Sequence, residues 1–167
     1  VTVMEQNLYY VDKTMFIPEL EKQPRNLFFI RPRRFGKSTF LSMLHSYYDC
    51  NQSAKFQSLF GNLWIGQHPT ELQGKYQVLF LDFSQVSGNI DSLERNFDFY
   101  CSVKLDGFMR RYGEAYSEET REKVRKAEYA MDKLAFIHDE AAQKGFDAIR
   151  KILFDSDGNR RTYELVG

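Results

Sequence analysis

Cysteine, histidine, net charge and long apolar runs are all scarce in this chain, and each scarcity removes a class of protein. Cys50 and Cys101 are the only cysteines in 167 residues. They fit no metal-ligand spacing and cannot build a disulfide framework, so a reducing, cytoplasmic setting is the expectation. His45, His68 and His138 are scattered and do not form a metal-binding pattern. Lys and Arg total 23 and Asp and Glu total 23, so there is no global field to draw in nucleic acid, and any such attraction must be local. No apolar run approaches the roughly 18–20 residues that span a bilayer, and no secretory leader is read at the start, so no membrane partner is expected. There is no internal repeat and no low-complexity tract. What is present is apolar and aromatic: 43% hydrophobic residues, with 15 Phe and 10 Tyr. That is a globular composition, and it predicts one domain over 1–167 with a substantial core.

The most informative stretch is Leu27 to Thr39. An apolar run, Leu27–Ile30, reads as a buried strand and meets a turn punctuated by Pro32 and Gly36. Gly36-Lys37-Ser38-Thr39 then opens a segment in which Phe40, Leu41, Leu44 and Tyr48 recur at helical spacing. Strand, turn, Gly-Lys-Ser and helix is the layout of a phosphate-binding P-loop. The residue types suit that chemistry. Converging backbone N–H groups at a helix N-terminus supply donors and the positive end of the helix dipole. Gly36 lets the backbone approach a phosphate, Lys37 reaches the β- and γ-phosphates, and the Ser38 hydroxyl can ligate Mg²⁺. The general pattern G-x-x-x-x-G-K-[ST] is broken once, because Arg31 holds the place of its first glycine.

A different class of function uses the same residues. Arg31, Arg33, Arg34 and Lys37, interleaved with Phe28, Phe29 and Phe35, have the ingredients of a catalytically silent interaction or nucleic-acid-binding module. A small-molecule kinase would share the loop but would need a substrate lid, and none is identified in the sequence.

Three ordered motifs carry a family resemblance. Arg31-Pro32-Arg33-Arg34-Phe35-Gly36-Lys37-Ser38, followed by Phe40-Leu41-Ser42-Met43-Leu44, is similar to the P-loop signature of the predicted AAA-ATPase-like family of bacterial P-loop proteins. Tyr9-Tyr10-Val11-Asp12-Lys13-Thr14 and Val78-Leu79-Phe80-Leu81-Asp82-Phe83-Ser84 resemble two further motifs of that family, so the likeness covers about 8–90. It implies an ATP-binding domain with Mg²⁺ as the companion ion. It also implies a phosphate site built from Arg33, Arg34, Phe35, Gly36, Lys37, Ser38 and Thr39. The segment before the P-loop often lies beside the adenine in AAA-type ATPases, which offers Tyr9 or Tyr10 as a stacking residue, but packing as a core or surface aromatic is the favoured reading of either. The nuclease-like domain that often follows in the family has no counterpart pattern here.

The rest of the chain is read by periodicity. Asp12 is placed to cap a short helix over 13–22, which Pro18 must delay, kink or split. Phe56, Leu59, Phe60, Leu63, Trp64 and Ile65 read as a short helix packed on the core. Tyr76–Phe83 reads as a central parallel strand buried on both faces, with Asp82 at its C-terminal edge in a supporting role. Asp91 with Glu94 resembles a capping box for a helix to Tyr112 that Gly113 ends. Ser117 caps a second long helix, running to Gly145, with Val124, Ala127, Met131, Leu134 and Ile137 as its stripe. A helix over 146–154, a turn over 155–159 and an edge strand over 160–166 complete the expectation.

Together these elements predict an α/β, three-layer P-loop fold with a mostly parallel sheet, its core motifs in 8–90 and a helical part over about 91–154. The resemblance also implies a later strand ending in an acidic pair, and no such strand is found. Ile152-Leu153-Phe154-Asp155 is the nearest match, and it is followed by Ser156 instead of a glutamate. The expectation is therefore an incomplete ATPase domain in which Lys37, Ser38 and Asp82 are the candidate catalytic groups and hydrolysis is slow.

Overall fold

The computed structural model describes residues 11–23, 26–28, 36–144, 149–156 and 159–166. A 3-10 turn, Thr14–Phe16, leads into helix α1, Ile17–Glu21, and strand β1, Asn26–Phe28. Helix α2, Lys37–Tyr48, is followed by the short helices α3, Phe56–Phe60, and α4, Trp64–Gln67. Strand β2, Gln77–Phe80, precedes the long helix α5, Ile90–Tyr112. Helices α6, Glu118–Lys126, and α7, Ala130–Gln143, then lead to strands β3, Ile149–Ser156, and β4, Asn159–Val166.

The expected three-layer P-loop fold with a mostly parallel sheet is not what forms. Helix dominates, and the strands that are described make a mixed sheet in the order β1-β3-β4-β2. Its only parallel pair is β1 with β3; β3 with β4 and β4 with β2 are antiparallel. β1 and β2 point the same way but have β3 and β4 between them. The reason lies at the chain's end. Of the segment expected as a helix over 146–154, residues 149–154 belong to the strand Ile149–Ser156, which pairs with Asn159–Val166 as an antiparallel hairpin. That hairpin occupies the centre, so the expected edge strand over 160–166 is paired on both sides.

The apolar run in β2 is buried on both faces, as expected, though β2 is not a central parallel strand. Val78 turns into a cluster with Leu41, Leu44, Tyr47, Tyr48, Phe60 and Ile65. Its neighbour Leu79 turns into a second cluster with Leu105, Phe108, Tyr112, Tyr116, Val124 and Ile137. Alternation along a strand sends successive side chains to opposite faces, so a strand between two cores must be apolar throughout. Tyr112 also accepts the Val78 N–H through its hydroxyl at 3.2 Å. The two cores are thus joined through β2 by both packing and a hydrogen bond.

Local chemistry sets the helix ends. Asn89, not Asp91, caps α5, its side chain accepting the Ser92 N–H at 3.1 Å. Gly113 stands at the C-terminal cap, as expected. The expected single helix from Ser117 to Gly145 is broken after Lys126, where Ala127 takes an extended ψ of 133°. The cause is a cap from elsewhere in the chain: the Asp98 carboxylate on α5 accepts the Ala130 N–H at 2.9 Å and starts α7 there. α6 and α7 then fold back as a hairpin. Glu140, near the end of α7, accepts the Ser117 N–H and hydroxyl, each at 2.8 Å, at the start of α6. Lys133, buried on α7, is paired with Asp106 of α5 at 2.6 Å. No described helix is long and apolar enough to cross a membrane.

Candidate functional site

The site is organised by α2. Its buried face is Phe40, Leu41, Leu44, Tyr47 and Tyr48, which seats the helix in the first core. Polar anchors hold its far end. The Tyr47 hydroxyl accepts the Thr70 N–H at 2.8 Å, and the Tyr48 hydroxyl donates to Glu21 Oε1 at 3.1 Å. Thr70 Oγ1 donates to the same carboxylate oxygen at 2.7 Å. A helix fixed at this end presents its N-terminus in one place.

That N-terminus opens at Gly36, whose φ of 73° lies in the left-handed region that favours glycine. Among the described residues no atom lies within 4 Å of where a Cβ would stand on Gly36. As the N-cap, a glycine has no side chain with which to satisfy the first-turn N–H groups. Its carbonyl accepts the Phe40 N–H at 2.9 Å, so the helix is regular from Lys37 onward. Lys37 and Thr39 are half-buried and Ser38 is exposed. The structure therefore brings Gly36, Lys37, Ser38 and Thr39 together on one helix start. Arg31, Arg33, Arg34 and Phe35 lie outside the described residues, as do Tyr9 and Tyr10.

Asp82 follows β2. Its N–H donates to the Tyr100 hydroxyl at 2.6 Å, and its Oδ1 accepts the Ser84 N–H at 3.1 Å and hydroxyl at 2.6 Å. The carboxylate thus caps a 3-10 turn, Phe83–Gln85. β2 runs in the direction of β1, so Asp82 emerges at the sheet end from which the chain leaves β1 toward α2. With β3 and β4 between them, the lateral separation is about 14 Å at the usual strand spacing.

A second aspartate, Asp155, stands near the end of β3. β3 is parallel to β1 with Phe28 opposite Leu153, so Asp155 reaches the same sheet end one strand away, about 5 Å laterally. The available signal was the apolar run Ile152-Leu153-Phe154 ending in Asp155. Reading that run as part of a helix concealed it.

The first motif, Val11 to Thr14, turns out to be a fastening. Asp12 accepts the Thr14 N–H at 2.8 Å and the Trp64 N–H at 2.7 Å, and Thr14 Oγ1 accepts the Ile65 N–H at 3.1 Å. Asp12 and Thr14 therefore satisfy the first donors of α4. Burial works to raise the Asp12 carboxyl, but the Trp64 and Thr14 donors outweigh it and hold it below the ordinary carboxylate range. Pro18 sits at the start of α1, so the expected 13–22 helix is split into two short turns. Among the described residues no cluster of His, Cys, Asp and Glu is suited to a metal ion. The two cysteine thiols are free and pushed up by burial, Cys101 to about 11.

The structure thus shows a helix opened by a left-handed glycine, with Lys37, Ser38 and Thr39 in its first turn. The family model described as "Predicted AAA-ATPase" matches residues 1–152, and the chain belongs to that family, a nucleotide-binding AAA-like class. It is also similar to an uncharacterized protein in the vnfD 5′ region of Azotobacter chroococcum mcd 1, at 50% identity over 44 residues. That match covers 26% of this chain and 8% of the relative's length. No solved structure matches.

Proposed function

We propose that this chain binds a nucleoside triphosphate, ATP, at the start of α2, with the phosphates held by Gly36, Lys37, Ser38 and Thr39. Arg33, Arg34 and Phe35 complete the loop in this reading. The observation that supports it most is the left-handed Gly36 at the N-cap of a helix whose next residues are Lys37 and Ser38. A backbone of this kind directs N–H donors toward an anion, and Lys37 adds a charge-assisted contact to the terminal phosphates.

The residues fit Mg²⁺ as the companion ion: the Ser38 hydroxyl is exposed at the helix start and is an oxygen donor of the type the ion prefers. Bound there, the ion would neutralise phosphate charge. By strand order Asp155 is one strand from β1 and Asp82 three strands away, so Asp155 is offered here as the ion's carboxylate partner and Asp82 keeps a supporting role.

Turnover is slow in this account. Phosphoryl transfer needs a group to orient the attacking water as well as groups to hold the phosphates and the ion. No glutamate follows Asp155 or Asp82, the neighbours being Ser156 and Phe83. Each missing group costs a large factor, since about 1.4 kcal/mol in the barrier is tenfold in rate.

Calorimetric titration with ATP, with and without Mg²⁺ and in competition with single-stranded DNA, tests the reading. Saturable binding that Mg²⁺ strengthens and DNA does not displace is expected. Binding of DNA with none of ATP would favour the basic-loop module instead.

A further inference from the structure

Helix α5 leaves apolar surface uncovered where a soluble helix usually hides it. Ile90, Leu93 and Phe97 stand at i, i+3 and i+7 and are 91%, 46% and 43% exposed. They share one arc of the helix with Cys101 and Leu105, which are buried. Beside this stripe the surface sinks into a cavity of about 630 Å³ between α5, the end of β2 and the start of α7. Leu79, Leu81 and Leu105 line it from within, and Leu134 and Met131 from α7. Met131 is 73% exposed, a flexible side chain at the rim of an apolar groove.

The rim is charged, and unevenly. Asp91, Glu94 and Asp98 border the cavity against a single cation, Arg95. Asp98 is occupied in capping α7 through the Ala130 N–H. Asp91 and Glu94 have no ion-pair partner among the described residues. The groove therefore combines an apolar floor, an apolar stripe of about two helical turns and an acidic edge.

We propose that this groove receives an amphipathic helix of a partner protein whose apolar face is flanked by Lys or Arg. A helix is favoured over a small molecule because the apolar surface does not end at the cavity but continues along Leu93 and Ile90. Spacing of i, i+3 and i+7 is what an incoming helix meets with its own anchors. A basic partner is favoured because Asp91 and Glu94 would steer it and set its register, while repelling an acidic helix of equal apolarity. No residue of α2 lines the groove, and the inference stands without the nucleotide reading.

The experiment uses the whole chain and two fluorescent peptides of about five helical turns, one Leu/Lys and one Leu/Glu, of equal hydrophobic pattern. Fluorescence anisotropy is expected to show the Leu/Lys peptide binding at least about tenfold more tightly than the Leu/Glu peptide. The double variant Asp91→Lys, Glu94→Lys, both exposed and so compatible with folding, is expected to reverse that preference. Phe97→Asp is expected to abolish binding of both peptides while circular dichroism stays unchanged. Equal binding of the two peptides, no binding, or a preference unchanged in the charge-reversed variant would overturn the proposal. So would sedimentation showing a dimer that Phe97→Asp dissociates, because the groove would then belong to a second copy. Saturable uptake of a neutral apolar dye without peptide binding would overturn it in favour of a small-molecule site.

Discussion

The Asp12 carboxylate accepts the backbone N–H of Trp64 at 2.7 Å, a contact between residues 52 apart in the chain. It places the segment that begins the described chain against α4 and so against the core that seats α2. An aspartate in the first motif is therefore explained by structure alone.

Asp12→Ala is expected to lower stability by about 1–3 kcal/mol, because the Thr14 and Trp64 donors lose their acceptor together. Asp12→Asn, which keeps a neutral acceptor, should cost less. Urea unfolding midpoints order the three proteins; an unchanged midpoint for Asp12→Ala would remove the fastening role.

Lys133 is buried and depends on Asp106. Asp106→Ala is expected to destabilise the chain by about 3 kcal/mol, since it strands an ammonium in the core. Adding Lys133→Met should recover most of that loss. A double variant as unstable as Asp106→Ala alone would mean that packing, not charge, sets the cost.

Glu140 gives the pH dependence its sign. Burial alone would raise its carboxyl, but Lys144, Thr120 and Ser117 hold it at about 2, below the ordinary 4.5. The folded state thus binds this proton less readily than the unfolded state. Its contribution to stability is present in full above about pH 4.5 and is lost as pH falls toward about 2. Glu140→Gln should be less stable than the native chain at pH 6, and the two should converge near pH 2–3. Urea midpoints at both pH values check this; a constant gap would exclude it.

Several elements were legible because local chemistry decided them. Phe40, Leu41 and Leu44 name the buried face of α2, and the Val78-Leu79 run announces a strand between two cores. The failures share a different cause. The break after Lys126 depends on a cap from Asp98, 32 residues earlier than Ala130. The mixed sheet depends on Ile149–Ser156 pairing with β1, more than a hundred residues upstream. Periodicity along a segment carries no trace of such partners, and short apolar runs suit helix and strand alike. At the candidate site, the helix start at Gly36-Lys37-Ser38 was legible because a glycine turn followed by helical spacing is local to one stretch. The nearness of Asp155 was hidden because strand order was.

Asp155 and Asp82 reach the same sheet end at different distances from β1, and Asp82 spends Oδ1 on Ser84. Asp155→Asn should therefore reduce the gain in ATP affinity on adding Mg²⁺ more than Asp82→Asn does. Paired titrations with and without the ion measure that gain. A larger loss in Asp82→Asn would reverse the assignment.

In the proposed function, Lys37 and the helix it opens hold the phosphates of a nucleotide. Calorimetric titration of Mg·ATP into the native chain and into Lys37→Ala tests it most directly. Loss of a charge-assisted contact worth about 1.5–3 kcal/mol should weaken binding by about 10- to 150-fold while the far-ultraviolet spectrum is unchanged. A Lys37→Ala chain that binds Mg·ATP as the native one does would contradict the account.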